Sequence, residues 1–189
     1  NLDISYNYID KFKKSILEPR LSFSQRIFEY VTFDVLGELK HQNASQVINL
    51  QNDFLGIEKR RWQMSNNQDI PIIKSKQISG GLNFSRNGWL LSLEGYFKLV
   101  KGITSQSQGF QNQYEFEKKS GNYDVKGVDL LLRKQIDKFN TWLSYSYMDN
   151  RYLFEDLEDD YFPSNYNIKH TTTFGLTYAL TDLKFSTGL

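Results

Sequence analysis

The sequence predicts an all-β protein, and within that class an antiparallel transmembrane β-barrel, of which the chain is a fragment of about nine strands. Three observations carry this. Apolar and polar residues alternate with period two over long runs, as half-buried strands require. Very short connections take turns with long polar ones along the chain. Aromatic residues reach 15% of the 189 residues, with 12 Tyr, 14 Phe and 3 Trp.

The alternation is clearest in the middle of the chain. From Trp89 to Lys101 the odd positions are Trp89, Leu91, Leu93, Gly95, Phe97 and Leu99, and the even ones include Ser92, Glu94, Tyr96 and Lys98. Val31, Phe33, Val35, Gly37 and Leu39 alternate with Thr32, Asp34, Leu36, Glu38 and Lys40. Val128, Leu130 and Leu132 alternate with Asp129, Leu131 and Arg133, and Thr172, Phe174, Leu176, Tyr178 and Leu180 with small residues. A helix would set Glu94 and Lys98 beside Trp89 and Leu93 and leave no clean polar face.

Nine strands follow, at about 2–9, 15–27, 30–42, 72–86, 89–102, 122–136, 139–153, 168–180 and 183–189. Tight turns are expected at Phe28-Glu29, Asn87-Gly88, Asp137-Lys138 and Thr181-Asp182. Asn-Gly is the strongest of these signals, because a two-residue hairpin turn of the I′ type needs positive φ at both positions. Long connections span about 43–71, 103–121 and 154–167. Tight turns therefore gather at one edge of the sheet and long loops at the other, as in bacterial outer-membrane barrels. A closed antiparallel sheet satisfies every backbone hydrogen bond inside hydrocarbon. Runs of this length exceed the ~9–11 residues a spanning strand needs. Trp89, Phe139, Trp142, Tyr147, Tyr152 and Tyr178 are expected in interfacial girdles. The mean hydropathy of −0.56 fits such a barrel, since only alternate residues face lipid. A soluble β-sandwich alternates in the same way and remains the alternative.

Composition narrows the chemistry. With no cysteine, disulfide scaffolds, zinc–cysteine sites, iron–sulfur clusters and thiol nucleophiles are excluded. Lys plus Arg number 23 and Asp plus Glu 22, so the balance argues against a nucleic-acid partner. No run approaches the apolar length of a membrane helix. No nucleophile elbow, Walker loop or dinucleotide fingerprint occurs, so no enzyme and no cofactor are expected. No signal peptide opens the chain, and both ends break off inside an alternating pattern, which predicts a segment of a longer protein.

A series of stretches is read together: Leu17-Glu18-Pro19-Arg20-Leu21-Ser22-Phe23-Ser24, Trp62 with Ser65-Asn66, Gly95-Tyr96-Phe97-Lys98 and Gly102-Ile103-Thr104. Ser107-Gln108-Gly109-Phe110, Gly127-Val128-Asp129-Leu130-Leu131-Leu132, Trp142-Leu143-Ser144-Tyr145-Ser146-Tyr147, Phe162-Pro163-Ser164-Asn165 and His170 continue it. In their order and spacing these stretches resemble the C-terminal part of the barrel of a TonB-dependent outer-membrane receptor of the Bacteroidetes type. The resemblance implies a 22-strand barrel closed around an N-terminal plug, with residues 1–189 forming a little under half of the barrel. It implies active uptake of a scarce nutrient (siderophore, vitamin, glycan or peptide) through the bacterial cell outer membrane. The implied partners are outer-membrane lipid, the chain's own N-terminal plug domain, the TonB complex and the nutrient, with room for a surface lipoprotein. The plug, the TonB-box segment and a terminal strand ending in an aromatic residue are absent from this sequence.

Ligand contacts are expected on the long loops. Arg60 and Arg61, in the run Glu58-Lys59-Arg60-Arg61-Trp62, can pair with an anionic ligand or a lipopolysaccharide phosphate. Trp62, Tyr114 and Phe116 can stack on a sugar or an iron chelate; loop packing is the plainer reading of the two in the 103–121 loop. The acidic run Glu155-Asp156-Leu157-Glu158-Asp159-Asp160 could ligate calcium or simply be solvated, and its spacing matches no twelve-residue calcium loop. Glu94 and Asp129 fall on the expected lumen face, and His170 at a strand start. The alternative function is a secreted carbohydrate-binding module using Trp62 and Tyr114.

Overall fold

A computed structural model describes residues 1–48, 60–66, 68–110, 114, 117–180 and 184–188. The Thr181-Asp182 turn and Phe116 lie outside the described residues.

Strands dominate. In chain order they are β1 (Leu2–Ile9), β2 (Lys14–Phe28), β3 (Val31–Gln42), β4 (Ala44–Ile48), β5 (Arg60–Met64) and β6 (Ile73–Arg86). Then follow β7 (Trp89–Thr104), β8 (Ser120–Ile136), β9 (Phe139–Leu153), β10 (Phe162–Pro163), β11 (His170–Ala179) and β12 (Lys184–Gly188). The nine expected strands are β1, β2, β3, β6, β7, β8, β9, β11 and β12, and they lie side by side in that order. Every pairing is antiparallel. The two-residue β10 adds to β9, and β4 and β5 form a separate two-stranded sheet. These three short strands lie in stretches that the sequence pattern assigns to loops. The sheet is open: β1 and β12 are its outer strands and do not pair with each other.

The meander places the connections as the sequence implies. One end carries the tight turns, stitched by Ser85 N–H to the Tyr30 carbonyl at 2.9 Å and Gln135 N–H to the Gly88 carbonyl at 2.9 Å. Asn87 and Gly88 have φ of 49° and 74°. This is the left-handed pair that a I′ turn needs. The β2–β3 turn sits at Glu29-Tyr30, one residue beyond the expected Phe28-Glu29. The reason is a register shift between Arg26 and Phe28, which lets Phe28 pair with Val31. The opposite end carries the short 3-10 turn Asp10–Phe12 and the three long connections.

Register fixes the faces, because residues directly opposite in an antiparallel pair point the same way. Trp89, Leu91, Leu93 and Phe97 share a face with Phe84, Leu82 and Ile78 on β6 and with Leu132, Leu130 and Val128 on β8. Phe33 and Val35, then Leu21 and Phe23, extend it to one side; Leu143, Tyr145 and Phe174 extend it to the other. This apolar face is the exposed one: Ile78 is 56% exposed, Leu93 44% and Phe97 45%. On β6 and β7 the polar residues between them, such as Gln77, Ser92, Glu94 and Lys98, are half-buried. The sheet thus leaves its apolar side exposed and, on its central strands, its polar side half-buried.

Two of the expected girdle aromatics lie on the other face. Trp89, Phe139, Tyr147 and Tyr178 are on the apolar side, and Phe139 meets Tyr178 at 4.5 Å between ring centroids. Trp142 and Tyr152 point to the polar side, because they hold even positions in a strand whose odd positions are apolar. Trp142 lies directly over Gly175, its cross-strand partner. Tyr152 is 2% exposed and belongs to the buried cluster at the loop end.

Candidate functional site

The polar face is a ladder of hydrogen-bonding side chains. Asn83 donates to the Asp34 carboxylate at 2.6 Å, Ser146 donates to Asp129, and Arg133 donates to Asn140 at 2.8 Å. Glu38 pairs with Lys40 at 3.0 Å and Arg20 at 3.4 Å. One transverse row runs Asp34, Gly81, Glu94, Asp129, Ser146. It sets Glu94 directly opposite Asp129 on the polar face of the open sheet. Two like charges at that spacing repel, a cost accepted only where water or a counter-charge can reach them. Glycines let rings lie flat across this face. A Cβ on Gly127 would overlap the Tyr96 hydroxyl, and one on Gly175 would overlap the Trp142 ring.

The long-loop end is a built structure. Val100, Ile103, Phe110, Tyr152 and Phe154 form a buried cluster, with Ile73, Tyr114, Tyr123, Leu157 and Phe162 packed around it. Phe110 meets Tyr152 at 5.3 Å and Phe154 at 5.7 Å, both edge to face. Ring quadrupoles favour that arrangement. Polar ties then join one loop to the next. Asn165 donates to the Gly109 carbonyl at 2.8 Å, Tyr114 to Glu158 at 2.5 Å, and Lys11 to the Ser65 carbonyl at 2.9 Å. Lys118 bridges to Asp69 at 3.3 Å. Asn66 caps its own loop, its side-chain oxygen accepting from the N–H groups of Gln68, Asp69 and Ile70. Ser105 clamps the base of the 105–119 loop by donating to the Glu117 carbonyl and accepting from Lys119 N–H.

Beside these loops lies a hollow of about 450 Å³, lined by Phe12, Lys14, Asn66, Gln68, Lys74 and Ser120 among others. A second of about 340 Å³ shares Pro71 and Ser120 with it and adds Asn122, Glu155 and Asp156. Both are within the size range of small-molecule sites.

Arg60, Arg61 and Trp62 form most of β5, the outer arm of the small hairpin, and Trp62 is 67% exposed. Arg61 is opposite Val47 and Trp62 opposite Gln46. The Arg60 guanidinium lies against Gly109, which ties the hairpin to the 103–119 loop. Tyr114 is set into the aromatic cluster, 6.0 Å from Phe110 and 6.3 Å from Phe162. The hydrogen bond to Glu158 raises its phenol pKa above the usual value, because a donated proton next to a carboxylate is held more tightly. The five expected contacts thus divide. Arg60, Arg61 and Trp62 share one exposed strand, Tyr114 packs in the cluster, and Phe116 lies outside the described residues. His170 opens β11 and its Nδ1 lies 2.9 Å from the Tyr145 hydroxyl.

The acidic run is divided rather than convergent: Glu158 is held by Tyr114 and Asp156 pairs with Lys119 at 3.8 Å. No group of three or more His, Cys, Asp or Glu is placed to hold a metal among the described residues. The hollow lined by Lys14, Asn66, Gln68 and Lys74 was not anticipated from the sequence. Its residues come from the Asp10–Phe12 turn, from the connection before β6 and from the loop-side ends of β2, β6 and β8, which are distant in sequence and share no pattern.

No family model matches the chain, and no curated protein matches it.

Proposed function

We propose that this chain is part of the barrel of an outer-membrane receptor that takes up a scarce nutrient by TonB-dependent active transport. In this reading the chain performs no covalent chemistry. The long loops capture the ligand on the outside, and a plug held within the barrel rearranges to let it pass.

One observation carries the reading. Eight of the nine sequential antiparallel strands, β1, β2, β3, β6, β7, β8, β9 and β11, present a continuous exposed apolar face, while all their long connections lie at one end. Such a face is stable in oil and not in water. Its height fits as well. On β6 it is bracketed by Lys76 and Arg86. Those positions are separated by about 33 Å along an extended strand. At a tilt of about 45° that is roughly 24 Å across the membrane, close to the ~25 Å apolar band of such barrels. The free edges of β1 and β12 then pair with further strands, since unpaired backbone groups are not tolerated in hydrocarbon. A soluble sandwich needs a second sheet over the apolar face. It also leaves unexplained the length of β6 to β9, which have 14, 16, 17 and 15 residues. Strands of soluble sheets are usually far shorter.

The absence of cysteine from residues 1–189 makes the test direct. Single cysteines are placed at 91, 93 and 97 and at 92, 94 and 98 in the full-length protein in its own membrane. The odd set is expected to resist a water-soluble maleimide and accept a lipid-soluble one; the even set reverses this. Equal labelling of both sets by the water-soluble reagent sinks the membrane reading. For transport, Ala at Arg60, Arg61 and Trp62 together is expected to lower energised uptake of the nutrient while leaving the amount of barrel in the membrane unchanged.

A further inference from the structure

The two faces of the sheet differ in charge as well as in polarity. On the polar face carboxylates outnumber their cations in places, as at Glu94 and Asp129, and Glu38 pairs with Arg20 and Lys40. On the apolar face of the described strands β2 to β9, the only carboxylates are Asp124 and Asp149. Asp124 is directly opposite Arg151. Asp149 is engaged by Arg151 at 2.9 Å and Lys126 at 3.8 Å. Of the lysines on that face without such a partner, Lys134 lies at the tight-turn end, where it donates to the Asn87 carbonyl and covers Trp89, and three lie together at the other end. Lys74 on β6 is directly opposite Lys101 on β7, and Lys76 is the next residue of β6 on the same face. All three are exposed, and none makes an ion pair among the described residues.

Two ammonium groups directly opposite on neighbouring strands destabilise the sheet unless an anion lies between them. The position of the cluster says which anion. It sits at the long-loop rim, immediately above Ile78 and Phe97, where the apolar face ends. A ligand that reaches it from the bilayer side meets hydrocarbon-facing side chains below and three cations above. We propose that Lys74, Lys76 and Lys101 bind the phosphate of a phosphorylated lipid of the surrounding outer leaflet, whose acyl chains lie along the apolar face beneath. The inference rests on the membrane reading proposed above. Lys74 and Lys101 reach the phosphate from two strands, and Lys76 closes the site from below. Lysine suits such a site, because a flexible point charge can follow a headgroup that is not rigidly held.

The test uses the full-length protein in phosphatidylcholine nanodiscs, with bound lipid counted by native mass spectrometry. The probes are a bis-phosphorylated glucosamine-disaccharide lipid, the same lipid without phosphates, and inorganic phosphate. The protein is expected to retain the phosphorylated lipid and not the dephosphorylated one. The variant K74Q/K76Q/K101Q is expected to hold it about a hundredfold less tightly, from the usual contribution of three lysines at an anionic surface. Lys98→Gln, on the polar face of β7, is expected to leave retention unchanged. Equal retention of both lipids, or a triple variant that binds as well as the parent, overturns the proposal. So does inorganic phosphate that occupies the lysines and excludes the lipid, since the site then serves a free anion. A protein that does not enter the nanodisc overturns the membrane reading itself; one that enters without preferring phosphate overturns this inference alone.

Discussion

At the scale of single residues, the sheltered face depends on the glycines beneath its rings. Gly127 is opposite Tyr96, and its missing side chain leaves the space that the tyrosine ring crosses. Gly127→Ala forces a Cβ against that hydroxyl and to 2.5 Å from the Tyr147 carbonyl. The expected loss is about 1–3 kcal/mol, the usual range for overpacking, read from urea unfolding in lipid vesicles. Gly175→Ala displaces the Trp142 ring and is expected to shift the tryptophan emission spectrum. Tyr114 gives a pH prediction. Its folded pKa is raised by the bond to Glu158. The folded state therefore holds the proton more tightly than the unfolded chain does. The stabilisation is complete below the ordinary phenol value, which the unfolded chain keeps, and is lost as pH rises through the higher folded value. A tyrosine absorbance titration is expected to show one fewer late-titrating phenol in Tyr114→Phe than in the parent, and the part of the stability difference that comes from this proton is expected to vanish at strongly alkaline pH.

At the scale of elements, what was legible followed period. Alternation located nine strands to within a few residues because one face is apolar throughout, and a slip of one residue would turn that face inside out. Asn87-Gly88 was legible because its conformation is written in its residue types. The β4–β5 hairpin was not: Ser45, Val47 and Ile48 are buried, but strands of five residues are too short to separate from loop noise. The same limit hid the loop-end cluster. Phe110, Tyr152 and Phe154 are distant in sequence or carry no periodic signature in their loops, and only tertiary packing unites them. Trp142 and Tyr152 were placed in the girdles on residue type, whereas their even positions put them on the sheltered face. Under the proposed membrane reading the pattern makes a prediction about depth. Leu93→Arg, at mid-height of the apolar face, is expected to cost about 2–4 kcal/mol, against roughly 0–1 kcal/mol for arginine at the rim position Leu99. Matched urea titrations in vesicles would read both. Gly88→Val is expected to weaken the β6–β7 hairpin, since a Cβ there would stand 2.5 Å from the Gln135 carbonyl. The left-handed turn adds to the strain, because only glycine adopts it freely.

At the scale of the whole molecule, the sheet separates two roles by face and by end. One face meets its surroundings with apolar side chains, the other is a polar wall, and the loop end adds a braced cap. In the proposed receptor, this bracing is what a capture surface requires. Ordering the loops in advance removes an entropy cost that would otherwise weigh on each binding event. Disrupting one tie tests this: Asn165→Ala, which removes the bond to the Gly109 carbonyl, is expected to raise proteolytic nicking of the loops while leaving the sheet intact.

Every long strand of the sheet bonds only to its neighbours in sequence along the sheet order. A break in the chain within one of the long connections therefore severs no ladder. Two separately made pieces, meeting along β3 and β6 or along β7 and β8, carry complete complementary edges. They should recognise each other and reconstitute the wall, so the polypeptide can be supplied in instalments as readily as in one length.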